Sequence, residues 1–338
     1  MSRRILLFIS FILSGALLLL AAPLIPAVQE PTPLFSEWLS GVRAEVLTRG
    51  IRPEIVDQAF AGLEEPLALP LERDGAQAEA TQSIEAYLSR RVTPATIRRG
   101  RQMFQRHRAL LGRVSGAYGV PAPVLVAIWG LESNYGRFRG VQPTIAVLAT
   151  LAWDPRRADF FRQELFGALD ILNNNYIDME RMRGSWAGAM GQPQFMPSSY
   201  LAYAVDFDGD GRRDIWESPA DIFASIGNYL KEHGWLAGRR WGREVTIPRG
   251  KGIEVAPRDG GCQAMRGMTT ALPLDKWAGM GVRLPGGAAL PKADFPASLT
   301  SGTRRHFLVY DNYDVLLSYN CAHAYALSVA LLSDRIGQ

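Results

Sequence analysis

Two short stretches carry residue types whose spacing could do chemistry. The first is "DFDGDGRRDIWE", residues 206–217, with acidic side chains at loop positions one, three, five, nine and twelve and glycine at position six. That is the pattern of an EF-hand-like calcium loop. Asp206, Asp208 and Asp210 would offer side-chain oxygens and Arg212 its backbone carbonyl. Asp214 would act directly or through water, and Glu217 would close the sphere with both oxygens. Carboxylates so closely set repel one another without a cation; the alternative is a hydrated acidic loop. In an exported chain a Ca²⁺ held here serves structure rather than sensing.

The second stretch is "GLESNYG", residues 130–136, directly after "PAPVLVAIW". The residues before Glu132 are apolar on every side, as in a helix buried all round. A carboxylate closing such a helix faces the negative end of its dipole. Burial and the helix end both favour the protonated acid, which a glycosidic leaving oxygen needs. Glycoside cleavage usually pairs that acid with a second carboxylate, and none lies close in sequence. A glutamate that merely swings into solvent is the alternative reading. A third stretch, "GSWAGAMGQPQFMPSSY" (184–200), mixes small residues with the neutral polar groups of Ser185, Gln194, Ser198, Ser199 and Tyr200. Trp186 and Phe195 add flat faces on which a sugar could stack, although such stretches also occur as plain tight packing.

The elements that must position these residues read as mainly helical. Helical patterns cover "FSEWLSGVRAEVLTRG", "RPEIVDQAFAGL", "TIAVLATLAW" and "RRADFFRQELFGALDILNNN". "TPATIRRGRQMFQRHRALLGRVSGAYG" reads as one long amphipathic helix with a basic face. "SPADIFASIGNYLKEHGW" opens on Ser218 and Pro219, a good N-cap and first-turn pair. From about Gly242 the texture turns to short, Gly/Pro-punctuated, partly alternating segments, a strand-and-turn character that "HFLVYDNYDVLLSYN" continues. "AHAYALSVALLSDRI" returns to helix.

The chain has 338 residues, 47% apolar and 21% charged, enough for one large domain or two smaller ones. Its net charge of +4 is mild, and no interleaved basic and aromatic stripe speaks for nucleic acid. "MSRR" followed by "ILLFISFILSGALLLLAAPLIPA" has the form of an export signal, either cleaved or kept as an anchor. Export makes a disulfide between Cys262 and Cys321 a natural pairing; two buried thiols are the alternative. The histidines show no zinc-binding spacing, and no organic cofactor is implied.

Together, "GLESNYGRFRG", "TLAWDPRRADFF", "GSWAGAMGQPQFMPSSYLAYAVDFDGDGRRDIW" and "YNCAHAYALSVALL" resemble the lytic murein transglycosylases of the B type. The resemblance runs from about residue 35 to the C-terminus, in the family's order. It implies an α+β, mainly α fold: a lysozyme-like core with the calcium loop and a small β-containing lobe. The expected division is 1–28 signal or anchor, 29–241 catalytic body, and 242–338 β-containing lobe with a return helix completing the groove. By resemblance Glu132 is the single acid/base, and Ser185 and Gln194 are active-site polar residues. Arg156 and Arg157 hold the peptide stems of peptidoglycan, and Tyr319, Asn320 and Tyr325 lie across the groove. Pro193, just before Gln194, stands where the family's sequence varies. A periplasmic enzyme acting as a monomer on peptidoglycan strands, alone or in a wall-remodelling complex, is the expectation. A hydrolytic muramidase and a non-catalytic wall-binding protein are its rivals.

Overall fold

The computed structural model describes residues 33–73, 82–248, 253–292 and 295–338. The N-terminal segment 1–28 lies outside them. From Pro33 onward the chain forms one compact unit.

Its first half is helical: α1 (Phe35–Thr48), α2 (Pro53–Ala59), α3 (Ala68–Arg73), α4 (Ile84–Arg91), α5 (Pro94–Arg106), α6 (Arg108–Tyr118) and α7 (Ala122–Ser133). A two-residue strand β1 (Gln142–Pro143) leads into α8 (Thr144–Trp153) and α9 (Ala158–Asn173). Strand β2 (Arg183–Gly184) pairs antiparallel with β1. Then follow α10 (Pro197–Tyr203) and α11 (Pro219–Glu232).

α7 is the hub. It packs against α5, α6, α11 and the C-terminal helix α15 (His323–Ile336). Encirclement explains why its residues are apolar on every face: Val124 to Leu131 are all buried.

The expected long helix over residues 93–119 is instead two, broken at His107 (φ −105°, ψ 16°). His107 turns its ring inward, edge-on to Trp129 at 5.7 Å and Phe223 at 5.5 Å. Burial first, then the neighbouring Arg106 charge, lowers its pKa. The bend lets α5 and α6 each meet α7. Polar caps set other helix starts as the sequence implies: Ser218 Oγ accepts from Asp221 N at 3.3 Å, with Pro219 in the first turn of α11.

The small lobe comprises β3 (Gly242–Val245), α12 (Gln263–Arg266), β4 (Leu272–Pro273), α13 (Leu274–Gly279), β5 (Pro296–Ser301) and β6 (His306–Val309). Its antiparallel sheet has the order β3-β6-β5-β4. A separate small core, with Trp277, Leu299 and Leu308 among its members, lies in this lobe. The strand character expected through "HFLVYDNYDVLLSYN" stops at Val309, and Asp311–Tyr319 is a helix, α14. Asp311 and Asp314 suit its first turn, while Asn312 is wholly buried, clasping the backbone of Leu236 and Arg239. Cys262 and Cys321 are bonded, with Cα atoms 6.2 Å apart, tying α12 to the link between α14 and α15.

Candidate active site

Glu132 is the penultimate residue of α7, half-buried at its end. The chain leaves the helix through three left-handed residues, Asn134, Tyr135 and Gly136, at φ 49°, 58° and 79°. Asparagine and glycine adopt that region readily; a tyrosine there is strained. Tyr135 is held by its hydroxyl, which donates to Thr96 O at 2.8 Å, and by its ring, which lies where a side chain at Gly130 would be. Ser133 Oγ donates to Trp129 O at 3.0 Å and accepts from Gly136 N at 3.1 Å. This tight reversal leaves Glu132 facing a groove of about 500 Å³.

Two walls of the groove come from segments flanking Glu132. Residues 137–142 supply Arg137, Arg139 and the exposed faces of Phe138 (66%) and Val141 (77%). The 184–194 turn supplies Ser185, Trp186 and Gln194. Ser185 Oγ accepts from Ala187 N at 3.3 Å and Ala189 N at 3.2 Å. Gln194 has φ 55° and donates through Nε2 to Gly191 O at 2.7 Å.

On the α14–α15 side, Tyr325 donates its hydroxyl to Glu132 Oε1. Burial, with the Glu132 charge second, pushes the Tyr325 pKa well up, so the hydroxyl stays a donor. Tyr319 stacks on Tyr325 with centroids 6.3 Å apart and donates to Pro193 O at 2.8 Å. Asn320 sits half-buried at the C-terminus of α14.

Several expected residues take other places. Phe195 is 2% exposed, packed on Tyr229 and Tyr319, so it supports the wall from beneath instead of offering a face to sugar. Ser198 donates to the buried Glu164, and Tyr200 to Arg213 O. Arg156 holds Asp154 with two bonds of 2.8 and 2.7 Å, lowering that carboxyl's pKa. Arg157 lies over Phe160 and Phe161. Among the described residues, the arginines lining the Glu132 groove are Arg73, Arg137 and Arg139. Sequence reading missed them, although two flank Phe138 in the quoted "GRFRG". In the residue pattern nothing distinguishes them from arginines on a solvated face.

The acidic loop is half assembled. Oxygens of Asp206, Asp208 and Asp210 lie within 4.8 Å of one another. Asp206 accepts from the backbone N–H of Gly209, Asp210 and Gly211 at 2.7, 3.2 and 2.8 Å, which turns its loop back upon itself. Gly211 has φ +87°, the left-handed turn this position needs. Asp214 instead accepts from Trp216 N and Glu217 N and pairs with Arg181, and Glu217 pairs with Arg139 of the groove. The hard oxygen donors of the first half fit Ca²⁺, and Glu217 would have to leave Arg139 to join them.

Residues 34–334 match the transglycosylase SLT domain model. The chain belongs to the transglycosylase SLT domain family. This SLT-family chain is similar to SltB3 from Pseudomonas aeruginosa, solved in complex with NAG-anhNAM-pentapeptide. That likeness has 42% identity and a TM-score of 0.81, covering 90% of this chain and 79% of that one. It is also similar to the lytic transglycosylase Slt35 of Escherichia coli, solved in complex with calcium. There the identity is 28% and the TM-score 0.75, covering 88% and 92%. Membrane-bound lytic murein transglycosylase B of E. coli is 41% identical over 153 residues. That alignment spans 45% of this chain and 42%, less than half, of the relative's length. The fold is thus the lysozyme-like one of SLT transglycosylases, rich in helix with small sheets.

Proposed function

We propose that this protein is a peptidoglycan lytic transglycosylase, cleaving the β-1,4 bond between N-acetylmuramic acid and N-acetylglucosamine without water. Glu132 protonates the glycosidic oxygen as the bond to the muramic anomeric carbon breaks. The C6 hydroxyl of the same muramic residue then attacks that carbon and gives its proton back to Glu132, leaving a 1,6-anhydro ring. Tyr325 holds one carboxyl oxygen of Glu132, so the other is the one to face the scissile bond. Ser185, with two acceptor bonds filled from the backbone, offers its proton to the substrate, and Asn320, at the C-terminus of α14, is assigned as a further polar group for it. Phe138 and Trp186 are the flat faces available to sugar rings, and Arg73, Arg137 and Arg139 the cations that suit acidic peptide stems. Arg156 and Arg157 remain further candidates for those stems.

One observation carries this reading: Glu132 is the single acidic side chain among the described residues lining the groove. Hydrolases of glycosides usually flank the bond with two; a reaction that draws its nucleophile from the substrate needs one. The anhydro sugar bound in the structure of SltB3 accords with it. We further place Ca²⁺ in the 206–217 loop, as a structural ion held by Asp206, Asp208 and Asp210 with Arg212, Asp214 and Glu217, and the protein in the periplasm. Purified peptidoglycan suspensions test the activity: the wild-type chain clears turbidity, and Glu132→Gln lowers the rate about 10²- to 10⁴-fold while melting as wild type. Near-normal clearing by the variant removes Glu132 from its role.

A further inference from the structure

One buried amide joins the last turn of α7 to the end of the acidic loop. Gln192 is 5% exposed. Its Oε1 accepts from the Trp129 indole Nε1 at 2.6 Å, and its Nε2 donates to Trp216 O at 2.6 Å. Its own backbone N donates to Ile215 O at 2.9 Å. Both neighbours of this bridge are glycines in left-handed conformations, and both come too close for a side chain. A Cβ at Gly136 would stand 2.5 Å from Gln192 Oε1, and one at Gly191 would stand 2.8 Å from Ile215 O.

Trp129 lies three residues before Glu132, one turn back along the same helix. Its carbonyl accepts from Ser133 Oγ and from Asn134 N, so it also closes the helix end that presents Glu132. Its ring is wedged among His107, Tyr135 and Phe223 at 5.7, 5.7 and 5.1 Å. The indole therefore has little room to absorb a displacement of the amide. Glutamine is suited to this bridge because it carries donor and acceptor on one planar head. A glutamate would set a charge against the Trp216 carbonyl. A methionine of similar length would leave the buried indole N–H and that carbonyl unpaired.

We propose that Gln192 is a positioning residue, fixing the Glu132 turn against residues 215–216 so that the state of the acidic loop reaches the acid/base. The proposal rests on the transglycosylase reading for its kinetic arm and on Ca²⁺ in the 206–217 loop for its spectroscopic arm, the rise of wild-type Tm with Ca²⁺ checking the latter separately. In Gln192→Met, kcat on purified peptidoglycan strands falls about tenfold with KM within twofold. In the wild-type chain, Ca²⁺ alone shifts the Trp129 indole N–H resonance, assigned by comparison with Trp129→Phe. In Gln192→Met that shift is lost, although Ca²⁺ still raises Tm. Unchanged kcat in the folded variant overturns the proposal. So does a wild-type resonance indifferent to saturating Ca²⁺, or a shift that survives in Gln192→Met. The resonance of the wild-type chain needs neither turnover nor a folded variant. A chain inactive on peptidoglycan would therefore refute the transglycosylase reading and leave the coupling to be judged by that resonance.

Discussion

At the scale of single residues, the contact between Tyr325 and Glu132 is the one on which the proposed chemistry turns. A hydrogen bond to a charged group contributes about 1.5–3 kcal/mol. Tyr325→Phe is therefore expected to lower kcat about 10- to 100-fold while leaving Tm within a few degrees; an unchanged kcat would detach this hydroxyl from catalysis. That Glu132 faces the groove was legible in the sequence, because a carboxylate closing a wholly apolar helix is a local conflict. The strain that aims it was not, since nothing in "SNYG" marks Tyr135 as left-handed until Gly130 is seen to make room for its ring. Phe195 misled for the converse reason. An aromatic in a Gly/Ser-rich stretch reads alike whether it faces a sugar or, as here, the undersides of Tyr319 and Tyr229.

At the scale of elements, the acidic loop and the groove compete for one side chain. Glu217 pairs with Arg139 and stands outside the cluster of Asp206, Asp208 and Asp210, so closing a Ca²⁺ sphere draws it from the groove. An exposed ion pair contributes about 0.2–1 kcal/mol. Arg139→Ala should thus tighten Ca²⁺ binding by roughly 1.5- to 5-fold in calorimetric titration, and unaltered or weaker binding would show that Glu217 is no ligand. The disulfide acts on a neighbouring element: it anchors the link that follows Tyr319 and Asn320. In the chain-entropy model a loop closed over a separation of 59 residues is worth about 4.2 kcal/mol. A Cys262→Ser, Cys321→Ser double variant should lose about that much in chemical denaturation, and equal stability would leave the bond without a stabilising role. The clustering of Asp206, Asp208 and Asp210 was readable from their spacing, whereas the pairing of Asp214 with Arg181 and of Glu217 with Arg139 was not. Nor was the break at His107, because it follows from Trp129 and Phe223, which are distant in sequence.

At the scale of the whole molecule, a single carboxylate fastens α4 of the helical body to the β5–β6 turn of the small lobe. Glu85 Oε1 accepts from Arg304 N at 2.7 Å and Arg305 N at 3.2 Å. Chiefly through the Arg304 N–H, its pKa falls from 4.5 to about 2. A carboxyl depressed on folding stabilises above its unfolded pKa and loses that contribution as pH falls through the folded one. The contribution, discounted for partial exposure, is about 1–2 kcal/mol, present above pH ~4.5 and gone near pH ~2. Wild type should therefore lose more stability than Glu85→Gln across that window, and parallel acid melts would deny the link. The late β-containing lobe was visible from its Gly/Pro punctuation, but its attachment through Glu85 was not, because the partners are over two hundred residues apart. The proposed chemistry turns on the fate of the anomeric carbon, where one acid and the substrate's own hydroxyl replace the usual carboxylate pair. An intramolecular hydroxyl held against that carbon has an effective concentration of up to about 10⁵ M or more, enough to outrun stray water in the groove. Mass spectrometry of the muropeptides released from purified peptidoglycan measures that fate directly. The expected products end in 1,6-anhydro-N-acetylmuramic acid, each one water lighter than a hydrolytic product and resistant to borohydride reduction; full-weight, reducible muropeptides as the main products would overturn the transglycosylase chemistry.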